Sequence, residues 1–270
     1  MQLTFWGVRG STPTPLPSHL GVGGSTTCLE VRSAEGAIII DAGTGATQLG
    51  RCLQAEFGYP AIELHFLMTH FHWDHIQGLP YFAPLYSPGT HITFYSTRPA
   101  DELQSFLEGQ MKAPYYPIDF DSTPSLKTYV HIDSQPLCAF GMTIHPFPLN
   151  HPQGATGYRI ECEGSVVTHA SDLEHGDAKL DRTLREYAQN ADILVYDAQY
   201  TPEEYTSHVG WGHSTWLEAA KVASDCKVKR LVLFHHDPRH DDRSMEKIAN
   251  HARQHFANTD IAREGWEIVL

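Results

Sequence analysis

The run Thr69-His-Phe-His-Trp-Asp-His75 constrains this chain more than any other segment. Four side chains able to bind a divalent cation, His70, His72, Asp74 and His75, fall within six residues, directly after a mostly apolar stretch, Ile62–Thr69, that reads as a strand. On an extended loop His70 and His72 point the same way. A turn at Trp73 then directs Asp74 and His75 toward a second ion, with two metals about 3.5–4 Å apart forming a hydrolytic clamp. Four ligands do not fill two coordination spheres, and a catalytic site also keeps a position for water or substrate. The fold must therefore deliver further His and Asp residues to the same place.

Three such residues follow later strands. His151 comes after Thr143–Leu149, Asp172 after Ser165–Ala170, and His235 after Lys229–Phe234. Each lies just past the carboxyl end of a strand, where α/β proteins build their sites. The chain has 18 histidines against 19 Lys plus Arg, so many histidines must be ordinary surface or capping residues.

Period-two and apolar runs also predict strands at Gln2–Trp6, Thr27–Arg32, Ala37–Asp41, Lys127–His131, Thr156–Cys162 and Asp192–Asp197. Helical spacing of Leu49, Leu53 and Phe57 predicts a helix over Thr44–Phe57, stopped by Gly58 and Pro60. Further helices are expected at Ala100–Leu107, Lys179–Gln189, Thr215–Ser224 and Arg243–Phe256. Strands dominate first and then mix with helices. That order suits an α/β (α+β) fold with two sheets covered by helices, a four-layer αββα sandwich, better than a doubly wound sheet. With no linker, repeat or compositional break, residues 1–270 read as one domain.

A formal charge of −13 without Lys/Arg clusters argues against a long nucleic acid as partner. Any positive potential for an anionic substrate must be local, and bound cations would supply it. The five cysteines, Cys28, Cys52, Cys138, Cys162 and Cys226, are scattered and odd in number, which speaks against a disulfide framework. No basic leader with an apolar core and no membrane-length apolar run is present, so a soluble cytoplasmic protein with no membrane partner is expected, with a homodimer as an open possibility.

The motif His70-x-His72-x-Asp74-His75, followed in order by His151, Asp172 and His235, resembles that of the metallo-β-lactamase fold superfamily along nearly the whole chain. The resemblance implies that His70, His72 and His151 hold one metal, that Asp74, His75 and His235 hold the other, and that Asp172 bridges them. It also implies that Asp41, in Asp41-Ala-Gly-Thr-Gly45, supports the metal loop from behind. None of the cysteines takes a motif position, unlike the zinc β-lactamases, and His72 stands where the di-iron redox branch has Glu. A His/Asp ligand set accepts Zn²⁺, Mn²⁺ or Fe.

The segment Gly210-Trp-Gly-His-Ser-Thr-Trp, with Asp197 upstream, is similar to one in ribonuclease Z and in the phosphodiesterase of the carbon–phosphorus lyase pathway. There the histidine protonates the leaving oxygen and an acidic residue, commonly Glu, orients it; here these are His213 and Asp197. A phosphodiester expels a poor alkoxide, so a proton donor contributes on the order of 10²–10⁴-fold. Thr215 and Glu218 have capping-box spacing, which leaves His213 just outside a helix amino terminus. That position disfavours an imidazolium, and Asp197 would be required to keep the proton on it.

The expected activity is a binuclear metal-dependent phosphodiesterase acting on a small nucleotide or cyclic nucleotide. A bridging hydroxide, its proton accepted by Asp74, would be the nucleophile and His213 the general acid. A thioesterase or lactonase and a low-turnover nucleotide sensor are the alternatives, and processing of transfer RNA is disfavoured because no basic Gly-rich arm lies between Asp172 and His213. Arg9, Arg98 or Arg159 could fork onto a phosphate, but each by itself reads first as a plain surface or paired arginine. Pro114-Tyr-Tyr-Pro117 reads as a lid, an interface or a base-stacking platform. In His235-His-Asp-Pro-Arg-His-Asp-Asp242 only His235 matches the ligand pattern, and the rest reads as a solvated turn.

Overall fold

Alternation in the strands gives each sheet two apolar faces. In β3 (Ala37–Ile40) Ile38 and Ile40 enter one hydrophobic cluster and Ile39 another, and in β4 (Glu63–Leu67) Leu67 and Phe66 divide in the same way. Successive strand side chains point to opposite faces, so a sheet built this way must be covered on both sides. Each fully buried Ile or Leu contributes about 1.5–3 kcal/mol. The computed structural model of the protein describes residues 1–57, 62–133 and 135–270, so the helix-stop expected at Gly58 and Pro60 lies outside the described residues.

The first sheet contains β1 (Gln2–Gly7), β2 (Cys28–Arg32), β3, β4, β5 (His91–Ser96) and β6 (Leu126–His131), side by side in chain order. The second contains β7 (Leu137–Ala139), β8 (Met142–Leu149), β9 (Ala155–Cys162), β10 (Ser165–Ala170), β11 (Ile193–Asp197), β12 (Arg230–Phe234) and β13 (Thr259–Ile261). A last strand, β14 (Glu267–Val269), returns to pair with β1. Helices α1 (Gly45–Phe57) and α3 (Ala100–Gln110) cover the outer face of the first sheet. Helices α4 (Ala178–Ala188), α6 (Trp216–Asp225) and α7 (Asp242–His255) cover the second. Two one-turn helices, α2 (Trp73–Ile76) and α5 (Pro202–Tyr205), lie in loops. The result is the αββα sandwich expected from the element order.

Strands β3 and β4 run parallel, as do β10, β11 and β12, so their carboxyl ends emerge together at one rim. That rim carries the residues singled out above. Four strands escaped the sequence reading: β5, β7, β13 and β14. Three of them have only three residues and take their place from neighbours already in the sheet.

Other readings need correction. The segment after His235 is not a solvated turn: His236 is fully buried, His240 bonds Glu204, and Asp237 is buried against Arg239. Arg9 holds it. Its guanidinium, itself fully buried, donates to the carbonyls of Gly23, Asp237 and His240, so it is a structural clamp with no reach to a phosphate. Arg159 is the paired arginine expected, tied to Glu161 and to the carbonyls of Tyr187 and Gln189. In the Pro114–Pro117 stretch Tyr116 bonds Tyr86 and the Pro80 carbonyl, packing the segment on the turns that follow α2. Among the described residues no helix is long and apolar enough to cross a membrane, and the cysteines are free thiols.

Candidate metal centre

Strand β4 ends at Leu67, and the loop beyond Met68 and Thr69 lays His70 and His72 on one side before α2 turns Asp74 and His75 to the other. His70, His72 and His151 offer ligand atoms within 4.8 Å of one another, and so do Asp74, His75, Asp172 and His235. Asp172 stands between the two groups. One of its oxygens lies 3.2 Å from His75 Nε2; the other lies 3.3 Å from His235 Nε2, 3.8 Å from His70 Nε2 and 4.0 Å from His151 Nε2. All seven sequence candidates therefore converge.

What fits this cluster to cations is the tautomer set. Each of the five rings spends one nitrogen on an acceptor behind it and turns the other inward. His70 Nδ1 donates to Thr69 Oγ1 at 3.1 Å, and that hydroxyl donates to Asp41 at 2.8 Å. His75 Nδ1 donates to Asp41 Oδ2 at 2.7 Å, His72 Nε2 to Gln153 Oε1 at 3.0 Å, His151 Nδ1 to the Gly212 carbonyl at 2.8 Å and His235 Nδ1 to Gln199 Oε1 at 2.9 Å. Such outer partners fix ring orientation and raise ligand basicity. The inward atoms His70 Nε2 and His75 Nε2 are buried without a hydrogen-bond partner. An orphaned buried nitrogen costs about 1–3 kcal/mol, which a cation would recover.

Local backbone shape supports the same place. Ser11, Asp41, Gln153, Asp172 and His235 all adopt left-handed φ near +60°. Side chains other than Gly disfavour this by roughly 1–2 kcal/mol. Such outliers gather where a site is over-determined by its surroundings. Ser11 uses its conformation to donate its backbone N–H to Asp74 Oδ2 at 2.7 Å. Gly212, at φ +86°, lets its chain pass so close to His151 that a Cβ would sit 2.4 Å from the ring.

Electrostatics follow from burial and pairing. Burial opposes a proton on His75, but the Asp172, Asp74 and Asp41 carboxylates outweigh it and push its pKa well up. The same contest, with Asp172, Asp74 and Asp197, pushes His235 up to about 9. Burial, aided by the neighbouring His75, holds His70 well below the ordinary imidazole value. Asp172 and Asp74 are driven well below the usual carboxylate range; burial works against this, and the His235 and His75 rings overcome it.

His213 lies at the edge of the cluster, against both His235 and His151. Its Nδ1 donates to Asp197 Oδ2 at 2.9 Å, and its ring stacks on His235 with centroids 4.9 Å apart. Asp197 ends β11, is fully buried, and also accepts the backbone N–H groups of Asp172, Gln199 and Ser214, each at 3.1 Å. Asp172, Asp197, His213 and His235 form a third convergence of ligand atoms, but these hydrogen bonds already satisfy Asp197. It is a carboxylate built to orient a histidine. Helix α6 begins at Trp216 with Thr215 as its cap, accepting from Glu218 N at 3.2 Å, so His213 does stand just before an amino terminus.

Glu174 was missed by the sequence reading. It accepts from the N–H groups of Gly210 and Gly212 and from Tyr205, while its backbone pairs with Asn150 beside His151. It thereby ties the loops of His151, Asp172 and His213 together. Gln153 and Gln199 were missed as well. Only their places, next to a strand end, could have signalled them. Arg98 is the sole Lys or Arg among the residues lining the cavity beside His72.

The family profile described as "Beta-lactamase superfamily domain" matches residues 37–236. Ribonuclease Z of Bacillus thuringiensis (strain Al Hakam) is 25% identical over 243 residues, covering 73% of this chain and 78% of that enzyme. The metallo-beta-lactamase fold protein YhfI from Bacillus subtilis superposes with a TM-score of 0.74 at 21% identity, covering 99% of this chain and 98% of YhfI. A diphosphatase of the PhnP family superposes with a TM-score of 0.71 at 19% identity, covering 100% and 97% of the two chains.

Proposed function

The chain belongs to the beta-lactamase superfamily, and from that premise we propose that it is a binuclear metal-dependent phosphodiesterase acting on small phosphodiesters such as nucleotides or cyclic nucleotides. The observation that carries the proposal is the His213–Asp197 pair beside the seven-residue cluster. A thioester expels a thiolate, a far better leaving group, and needs such a donor less. An alkoxide on phosphorus needs it.

Two divalent cations, held by His70, His72 and His151 on one side and by Asp74, His75 and His235 on the other with Asp172 common to both, would supply an activated water and positive charge against the phosphoryl oxygens. Asp74 would take the proton of the attacking water. The water oxygen bonds to phosphorus as the opposite P–O bond breaks. His213, its Nδ1–H fixed on Asp197, gives its other proton, from Nε2, to the departing oxygen. Likeness to ribonuclease Z and to a diphosphatase supports a phosphorus-centred reaction over others of the superfamily.

The test is turnover of bis(p-nitrophenyl) phosphate and of 3′,5′- and 2′,3′-cyclic nucleotides with Mn²⁺ or Zn²⁺. Release of the monoester is expected. Thioester or lactone hydrolysis without any phosphodiester turnover would sink the proposal. Cation binding itself should be coupled to protons, because a ring nitrogen must lose its proton to coordinate. With His235 pushed up to about 9, it is protonated at pH 7 in the cation-free protein. Calorimetric Zn²⁺ titration in buffers of different ionisation enthalpy should report at least about one proton released per chain, and affinity should fall as pH falls. Buffer-independent heats would show that His235 carries no proton into the cation-free site.

A further inference from the structure

A cavity of about 850 Å³ opens beside His70 and His72, lined from the ends of β5 and β6 of the first sheet and from β8 and β9 of the second. It lies within the range of small-molecule sites, about 300–1,000 Å³. Three phenyl rings reach its wall: Phe71 and Phe106, with centroids 4.9 Å apart, and Phe147, backed by Tyr187 stacked at 4.7 Å. Ile132 and Leu149 complete an apolar surface. The only formally charged side chains along it are Arg98 and Asp133. Sugar chains or polyphosphates would find few partners on such walls; a flat ring would find faces to stack on.

The position matters as much as the lining. The cavity touches His70 and His72 and none of Asp74, His75, Asp172, His235 or His213. His213, packed on the His235 and His151 rings with centroids 4.9 Å and 5.4 Å away, stands outside the cavity lining. A phosphodiester whose leaving oxygen faces His213 therefore presents its remaining substituent to the cavity. Arg98 marks the mouth, donating to the Gln153 carbonyl while the Gln153 side chain holds His72. Continuity with the metal cluster makes the occupant part of the substrate.

We propose that this cavity receives the retained organic group of the substrate, and that this group carries a flat aromatic ring, an aryl group or a nucleobase. The proposal rests on the phosphodiesterase reading and narrows it to one substrate class. The test holds the leaving group constant: methyl p-nitrophenyl phosphate, phenyl p-nitrophenyl phosphate and the p-nitrophenyl ester of thymidine 5′-phosphate. Stacking contributes about 1–3 kcal/mol per ring, so kcat/KM should rise about 10- to 100-fold from methyl to a ring-bearing ester. The phenyl and thymidine arms distinguish an aryl group from a nucleobase.

Phe106, 41% exposed on α3, can be cut back without opening the core, and Phe106→Ala should shrink the ring-to-methyl ratio at least about threefold. Equal kcat/KM for methyl and ring-bearing esters would overturn the inference and leave the phosphodiesterase reading standing. If no diester turns over, that reading fails, and binding decides the cavity alone. Fluorescence titration of the Zn²⁺-loaded protein with 1-naphthyl phosphate should then saturate, more weakly in Phe106→Ala and without competition from methyl phosphate at equal concentration. Absence of saturable, Phe106-dependent binding would overturn the inference.

Discussion

Replacing His213 by alanine is expected to lower kcat about 10²- to 10⁴-fold on substrates with alkoxide leaving groups, and by less than about tenfold on p-nitrophenyl esters. The difference comes from the leaving group. An alkoxide cannot depart without a proton, whereas p-nitrophenolate can, so a general acid matters for one and not the other. The position of His213 carries this expectation: a ring at the edge of the cluster, one nitrogen held on Asp197 at 2.9 Å and the other left over. Asp197→Asn should mimic the effect at some cost in stability. Asparagine keeps the size, but in either orientation its NH2 group meets a backbone N–H that the carboxylate now accepts, that of Asp172 on the His213 side or those of Gln199 and Ser214 on the other. Cyclic-nucleotide and p-nitrophenyl assays on the same preparations measure both arms. Equal losses on the two leaving groups would show that His213 acts in binding or folding instead.

Asp172→Asn is expected to be more severe. Its carboxylate faces both halves of the cluster, with oxygens 3.2 Å and 3.3 Å from the His75 and His235 rings and 3.8 Å from His70. Loss of its charge should release at least one metal equivalent per chain and reduce kcat/KM on the order of 10³-fold, several kcal/mol of charge stabilisation at about 1.4 kcal/mol per decade. Asparagine is the informative substitution because Asp172 sits at φ +62°, which Asn tolerates and Ala does not. A variant with intact fold, full metal content and normal rate would refute Asp172 as a shared ligand. Elemental analysis after dialysis, with circular dichroism as the folding control, decides it.

The ligand candidates were legible because metal chemistry restricts residue type and because strands end where polar residues interrupt apolar runs. His70 to His75 could be read from spacing alone. His151, Asp172 and His235 needed the added idea that each follows a strand, and their assignment to particular ions came from the family resemblance. The helices came through closely: Arg243–Phe256 is α7 at Asp242–His255, shifted one residue by Asp241, whose side chain caps the helix through Ser244 N. Strand β5 was overlooked although polar and apolar residues alternate over His91–Phe94, and its carboxyl end supplies the cavity residues Ser96, Thr97 and Arg98. Reading only the metal loop thus left half of the proposed substrate site unseen.

Arg9 and the segment after His235 show the opposite failure. Both look solvent-seeking by composition, yet the fold buries them against each other through carbonyl groups that no side-chain pattern reports. Gln153, Gln199, Glu174 and the Gly212 carbonyl were invisible for a related reason. Each acts through hydrogen-bond geometry across long sequence separations, and any polar residue would look the same in the linear chain. The sequence by itself determined which atoms could bind cations and that strands would carry them to a common rim, because ligand chemistry and period-two burial are local properties. Only the tertiary structure decided which nitrogen of each ring faces inward, that His213 meets Asp197, and that an aromatic cavity opens beside His72, because those depend on where separate strands end relative to one another.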